Sequence, residues 1–105
     1  MKFTIEEFLD KLPLPPNDKW KDGVRFVEPF KKEDVSLEFF APRGRDYQTP
    51  HDKDEFYFIA RGNGDIVIGD ENFAFVAGDV FFVAAGVEHH FENFSDDFAT
   101  WVVFF

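Results

Sequence analysis

An all-β sandwich or barrel is the fold class this chain predicts, and three observations carry the prediction. From Val24 to the C-terminus, short runs rich in phenylalanine, valine and isoleucine are parted by clusters of glycine, asparagine and aspartate, the pattern of strands joined by turns. The clusters recur at brief intervals, which suits a sandwich or a closed barrel. Only one stretch, near the N-terminus, has helical periodicity. At 105 residues the chain is expected to be a single domain, able to bury one core but too short to divide. Residues 1–22 read as a helix and extended arm, and residues 23–105 as the β-structure.

Thr4 and Glu7 make a capping box, in which the hydroxyl accepts from a free helix N–H and the carboxylate reaches back. Ile5, Phe8, Leu9 and Leu12 follow at i, i+3, i+4 and i+7, one face of a short helix. Pro13, Pro15 and Pro16 end it, because proline cannot donate into a continuing helix. The helix is expected to serve as a structural flap on the β-structure or on a partner subunit. Leu14 to Asp22 then runs extended. Val24–Glu28 and Val35–Ala41 read as strands around the polar turn Lys31–Asp34, and Pro42 to Asp46 as a loop. Glu55–Ala60 and Asp65–Ile68 flank Arg61, Gly62, Asn63 and Gly64, which predicts a hairpin, since glycine and asparagine tolerate positive φ. Gly69 to Asn72 turns the chain into Phe73–Val76, and Gly78-Asp79 into Val80–Ala84. The last strand, Phe98–Phe105, is apolar on both faces. One face enters the core and the other needs cover, so a homodimer is expected.

The net charge of −10 makes nucleic-acid and membrane partners poor expectations, because a surface this acidic repels phosphates and anionic headgroups. No apolar run nears the ~20 residues that span a bilayer. Met1 to Asp10 has no signal-peptide pattern, so a cytoplasmic location is expected. There is no cysteine, hence no disulfide frame and no thiolate ligand. The 17 phenylalanines suggest a cavity or interface lined by rings.

All three histidines lie between Thr49 and Asn93. In extended chain His51 and Glu55, four apart, point the same way, with Tyr57 and Ile59 on that face. His89 shares its side with Phe91 and Asn93, while His90 faces away. Two imidazoles and a carboxylate converging from separate strands would form a facial set with open positions, suited to Fe(II), Mn, Ni, Co or Zn. The plainer reading of the same residues is a partly buried histidine bonded to a backbone carbonyl. Ser36 and Ser95 have no histidine–carboxylate pair legible near them, which sets aside a hydrolase triad.

The glycine spacing around these residues resembles the cupin family. That family's first motif reads Gly-x5-His-x-His-x3,4-Glu-x6-Gly, and here His51, Glu55 and Gly62 fall in register. Its second motif reads Gly-x5-Pro-x-Gly-x2-His-x3-Asn, matched by Gly78, Gly86, His89 and Asn93. The chain departs in three places. Thr49 stands where the first motif has its leading histidine, Ala84 replaces the proline, and Gly44 is one residue nearer the histidines. The resemblance implies an antiparallel, jelly-roll-like double-stranded β-helix of the RmlC-like type, enclosing a small-ligand cavity. It also implies that His51, Glu55 and His89 ligate a divalent transition metal, with Thr49 offering a hydroxyl or leaving its place to water. Gln48 should leave on the opposite face.

Arg43 and Arg45 precede the site and could hold a carboxylate or phosphate substrate, and Tyr57 could orient one. Asn93 reads as pinning its strand. The function implied is a metal-dependent enzyme acting on a small organic molecule, with oxygenase chemistry slightly ahead of isomerase or decarboxylase. Two alternatives stand beside it: a non-catalytic binding protein for a metabolite or sugar with a degenerate metal site, and a structural dimerisation protein.

Overall fold

The computed structural model describes residues 1–105, and eight strands form its framework. They are β1 (Phe26–Lys32), β2 (Val35–Phe40), β3 (Glu55–Arg61), β4 (Asn63–Ile68), β5 (Glu71–Val76), β6 (Val80–Val83), β7 (His89–Glu92) and β8 (Ala99–Phe104), preceded by helix α1 (Ile5–Leu9). All pairings are antiparallel. One sheet runs β1-β2-β8-β3-β6 and the other β5-β4-β7. The two sheets face each other as a jelly-roll-like barrel. No helix is long and apolar enough to cross a membrane.

Alternation along the strands explains the layering. In β3, Glu55, Tyr57 and Ile59 are buried while Phe56 and Phe58 look outward, as a period of two requires. In β8, Thr100, Val102 and Phe104 turn inward. Between the sheets these side chains meet Phe40, Ile66, Phe75, Phe91 and Phe98 in one apolar cluster. Its rings pack tilted or edge-on, with Phe91 and Phe98 centroids 4.7 Å apart.

A second, smaller cluster lies on the outer face of the larger sheet. There α1 sets Phe8 against Phe39 and Trp101, the last pair T-shaped at 5.8 Å. The helix therefore covers the part of the sheet's outer face around Trp101 of β8. The part over β3 and β6 stays open: Phe58, Val80, Phe82 and Phe105 are 41%, 52%, 48% and 43% exposed.

The helix is shorter than its apolar spacing predicts. Regular structure stops at Leu9, and the chain tightens through Lys11 N to Phe8 O and Leu12 N to Leu9 O before Pro13. Thr4 caps it, accepting from Glu7 N at 3.2 Å. The reciprocal half of the box does not form; instead the neighbouring Glu6 reaches Arg61 at 2.6 Å. Thr4→Ala is expected to cost about 1 kcal/mol, read from urea denaturation.

Two further expectations are corrected. The strand expected at Val24–Glu28 begins at Phe26 and continues past Pro29 to Lys32. It is an edge strand whose register shifts between Val27 and Phe30, so the missing proline N–H breaks no interior ladder. Gly62 and Gly64 do not turn a hairpin, because β3 and β4 belong to different sheets. The segment is a corner where the chain crosses the barrel. Gly62 has φ of +88°, and a Cβ there would stand 2.8 Å from Phe98 Cα; one on Gly64 would stand 2.7 Å from Phe94 Cα. Absence of a side chain lets this corner close against residues 94–98. The hairpin at Gly69 is present, joining β4 to β5.

Candidate metal centre

His51, Glu55 and His89 meet near one end of the barrel. Each offers a ligand atom, and those atoms lie within 4.8 Å of one another. Glu55 opens β3 and is fully buried. Its row across the larger sheet runs Ser36, Phe104, Glu55, Val83. His89 opens β7 in the facing sheet and is 4% exposed. His51 comes from the loop before β3, outside any strand, and is half-buried. Its carbonyl accepts from Gly86 N at 2.7 Å, tying this loop to the one that leads into His89. The His51 and His89 rings are 5.8 Å apart, and Phe104 flanks His51 at 4.9 Å.

Hydrogen bonding shows which atoms are left free. His89 Nδ1 lies 2.9 Å from Val87 O, and a carbonyl only accepts, so Nδ1 carries the proton. Nε2 then presents its lone pair to the interior. It lies 2.7 Å from Glu55 Oε1, an ion pair when His89 is protonated, but the two are not aligned for a hydrogen bond, and Nε2 makes no other. Glu55 Oε2 is buried and unpartnered. Buried polar atoms are normally satisfied. Two of them converging beside a second imidazole fit a cation of the type that takes nitrogen and oxygen ligands.

Burial pushes the pKa of His51 down, only partly offset by Glu55, and so favours the neutral, ligating ring. For His89 burial acts the same way, but Glu55, the Val87 carbonyl and Asp46 outweigh it and raise the pKa in the metal-free protein.

A polar chain supports Glu55 from behind. The Tyr57 hydroxyl lies 2.8 Å from Glu55 Oε1 and 3.0 Å from Gln48 Oε1, so its one proton serves either acceptor. Burial, then Glu55, keeps Tyr57 protonated by raising its pKa well above the ordinary phenol value. Gln48 Nε2 donates to Asp46 Oδ2 at 2.6 Å, and the same oxygen accepts from Phe91 N at 2.9 Å. Gln48 was expected on the opposite face. The loop before β3 belongs to no strand, so sheet alternation does not set its side chains, and Gln48 turns toward Tyr57 and Asp46. Asp46 and Gln48 carry no local signal of this role, because it depends on the loop's path.

Thr49 does not join the three donors. It is exposed, and its hydroxyl accepts from Lys19 Nζ at 3.2 Å. Arg43 and Arg45 line a separate cleft with Trp20 between it and His51. His90 faces outward to Glu92, as expected. Asn93 donates to Asp65 at 3.1 Å and so ties its turn to β4.

Two cavities of about 210 Å³ each flank His51, one walled by Trp20, Phe26 and Phe40, the other open toward Ser36 and Phe104. Glu38 of β2 lines both. This residue is absent from the motif reading, because a glutamate within Val35–Phe40 looks like an ordinary solvent-facing strand position.

Comparison with known proteins agrees with this architecture. The family described as "Cupin domain" matches residues 36–105. An uncharacterized protein of Streptomyces coelicolor is 42% identical over 85 residues, covering 79% of this chain and 80% of that one. A cupin-2 domain containing protein of Shewanella frigidimarina superposes with TM-score 0.66 at 16% identity, over 96% of this chain and 91% of that one. An RmlC-like cupin of Methanocaldococcus jannaschii, described as a double-stranded β-helix, gives 0.63 at 19%, over 75% and 78%. These structural likenesses bear on the fold, and with the match over residues 36–105 they lead to one conclusion: this chain belongs to the cupin family.

Proposed function

We propose that this cupin is a metal-dependent enzyme acting on a small organic molecule held beside His51. One observation carries the reading: Glu55 Oε2 is buried without a partner, buried His89 Nε2 makes no aligned hydrogen bond, and both belong to a donor set spanning no more than 4.8 Å. His51, Glu55 and His89 would hold the ion. Bound there, a divalent transition metal supplies Lewis acidity to a substrate oxygen. Val87 O fixes the His89 tautomer, and the Tyr57–Gln48–Asp46 chain holds the carboxylate in place. Trp20, Phe26 and Phe40 provide an apolar wall for the substrate body, and Glu38 places a carboxyl group on that same wall to hold or release a proton. Elemental analysis tests the reading. About one equivalent of metal is expected in the purified protein, and none after His51→Ala or His89→Ala. A wild-type chain that takes up no Fe, Mn, Ni, Co or Zn would leave the cavity as a metal-free binding site, the reading that the Lys19–Thr49 contact favours.

The open part of the outer sheet face is the proposed homodimer interface. The side chains of Phe56, Phe58, Val80, Phe82 and Phe105 form an uncharged apolar surface, so two chains of net charge −10 can meet there without setting charged side chains of this patch against each other. Phe82→Glu, which buries one carboxylate from each copy, is expected to halve the mass seen by sedimentation.

A further inference from the structure

Three of the four arginines of this acidic chain gather in one place. Arg25, Arg43 and Arg45 line a cavity of about 200 Å³, together with the rings of Trp20 and Tyr47. The chain carries 21 aspartates and glutamates, yet none comes within salt-bridge distance of these guanidinium groups; Arg61 is the arginine that has a carboxylate partner.

The groups are nonetheless anchored. Arg43 Nη1 donates to Ala41 O, Pro42 O and Phe98 O, at 3.2, 2.9 and 3.0 Å, and Arg25 Nε donates to Ala41 O at 2.8 Å. Arg45 lies over the Tyr47 ring at 5.2 Å, and Tyr47 packs edge-on to Trp20 at 5.3 Å. Their remaining N–H groups have no acceptor within the chain. Burial and then the neighbouring Arg43 charge lower the Arg25 pKa, and burial lowers that of Arg43 although the Asp96 and Asp97 charges work the other way; an anion in the cavity would favour the charged form of both.

We infer that this arginine-lined cavity, distinct from the metal centre, binds a small phosphate monoester whose body lies against Trp20 and Tyr47. A carboxylate is satisfied by one guanidinium fork, whereas the three oxygens of a phosphate dianion can accept from several. Three guanidinium groups lining one cavity therefore suit the dianion. Asp22 also lines the cavity, and its charge opposes the ligand, which gives a variant of opposite sign.

The test is calorimetric titration of the full-length, metal-stripped chain with phenyl phosphate, benzoate and inorganic phosphate. Stripping prevents phosphate from reporting a metal at the other site, since Trp20 walls both cavities. Phenyl phosphate is expected to bind at least about tenfold more tightly than benzoate. Arg45→Ala, at an exposed side chain with no structural hydrogen bond, is expected to weaken it at least about tenfold, and Asp22→Asn to tighten it about threefold. The affinity should fall with added salt and survive His51→Ala. No binding at millimolar phosphate ester, equal affinity for benzoate, or an unchanged affinity in Arg45→Ala would each overturn the inference. Because the His51→Ala chain is titrated in parallel, failure of the metal proposal leaves this result readable.

Discussion

Glu55→Gln is expected to remove metal binding while leaving the metal-free protein at least as stable as the wild type, and more stable by about 1–2 kcal/mol. The two effects have opposite signs because the carboxylate serves the ion and not the apo fold. In the metal-free chain Glu55 is fully buried, Oε2 has no partner, and Oε1 stands 2.7 Å from a His89 nitrogen with which it is not aligned to hydrogen-bond. Tyr57 and His89 both stand against Oε1, but Oε2 is left buried with nothing to bond, and such an orphaned charged oxygen is costly. An amide of the same shape can place its nitrogen where Oε1 lies and donate to the Tyr57 oxygen, while Tyr57 turns its own proton to Gln48 Oε1. The uncharged carbonyl left at the Oε2 position costs less to bury. For the ion the exchange works the other way. Loss of an outer-shell partner alone weakens metal sites by about 10–100-fold, and here an anionic ligand itself is lost, so a decrease of at least a hundredfold is expected. Wild-type protein should also be more stable with metal than with chelator, by about 4 kcal/mol at a thousandfold excess over Kd; Glu55→Gln should show no such difference. Urea denaturation with and without metal reads both. A Glu55→Gln chain that is destabilised without metal and still binds it would mean that the carboxylate is a structural group.

The three donors were legible because motif spacing survives whatever the intervening loops do. His51, Glu55, Gly62 and Gly78, Gly86, His89, Asn93 are sequence distances, and the barrel turns them into proximity. The alternation of β3 was legible for a similar reason, since side-chain direction repeats every second residue, whereas β8, apolar on both faces, hides its own. What depends on the chain's path was not legible. Gly62 and Gly64 carry the same local signal whether the chain doubles back in one sheet or crosses to the other, and only the approach to Phe94 and Phe98 separates the cases. Gln48 and Asp46 sit in a loop without periodicity. Arg25 and Arg43, 18 positions apart by their numbers, come together because residue 41 bonds back to residue 25 beside the first strand pair. The need to cover the outer β8 face is legible, but not that the helix of the same chain covers it at Trp101.

Glu38 is the residue whose titration should dominate the pH dependence of the metal-free fold. It sits on β2 in register with Val102, one row along the sheet from Glu55, and makes no hydrogen bond or ion pair within the chain. Burial first, then the charges of Glu55 on β3, Glu28 on β1 and Asp46 in the 42–54 loop, push its pKa up from 4.5 to about 8. His51 and Lys19 share one of its cavities, and Asp52 and Lys53 the other. Because the folded pKa exceeds the unfolded one, the folded chain keeps a proton that the unfolded chain releases above about pH 4.5. The stability tied to that proton is complete below pH 4.5 and is lost as pH rises toward 8, levelling off beyond it. One pKa unit corresponds to about 1.4 kcal/mol. Allowing for partial solvent access, wild type should lose about 2–3 kcal/mol relative to Glu38→Gln between pH 5.5 and pH 8.5. The comparison isolates Glu38, since the histidines titrate in both chains. Urea midpoints at the two pH values measure it. At neutral pH the group faces the cavity chiefly as the neutral acid, a donor toward any ligand oxygen beside His51. A wild-type chain whose stability relative to Glu38→Gln is flat over this range would show that water reaches Glu38 freely and that it ionises as an ordinary surface carboxylate.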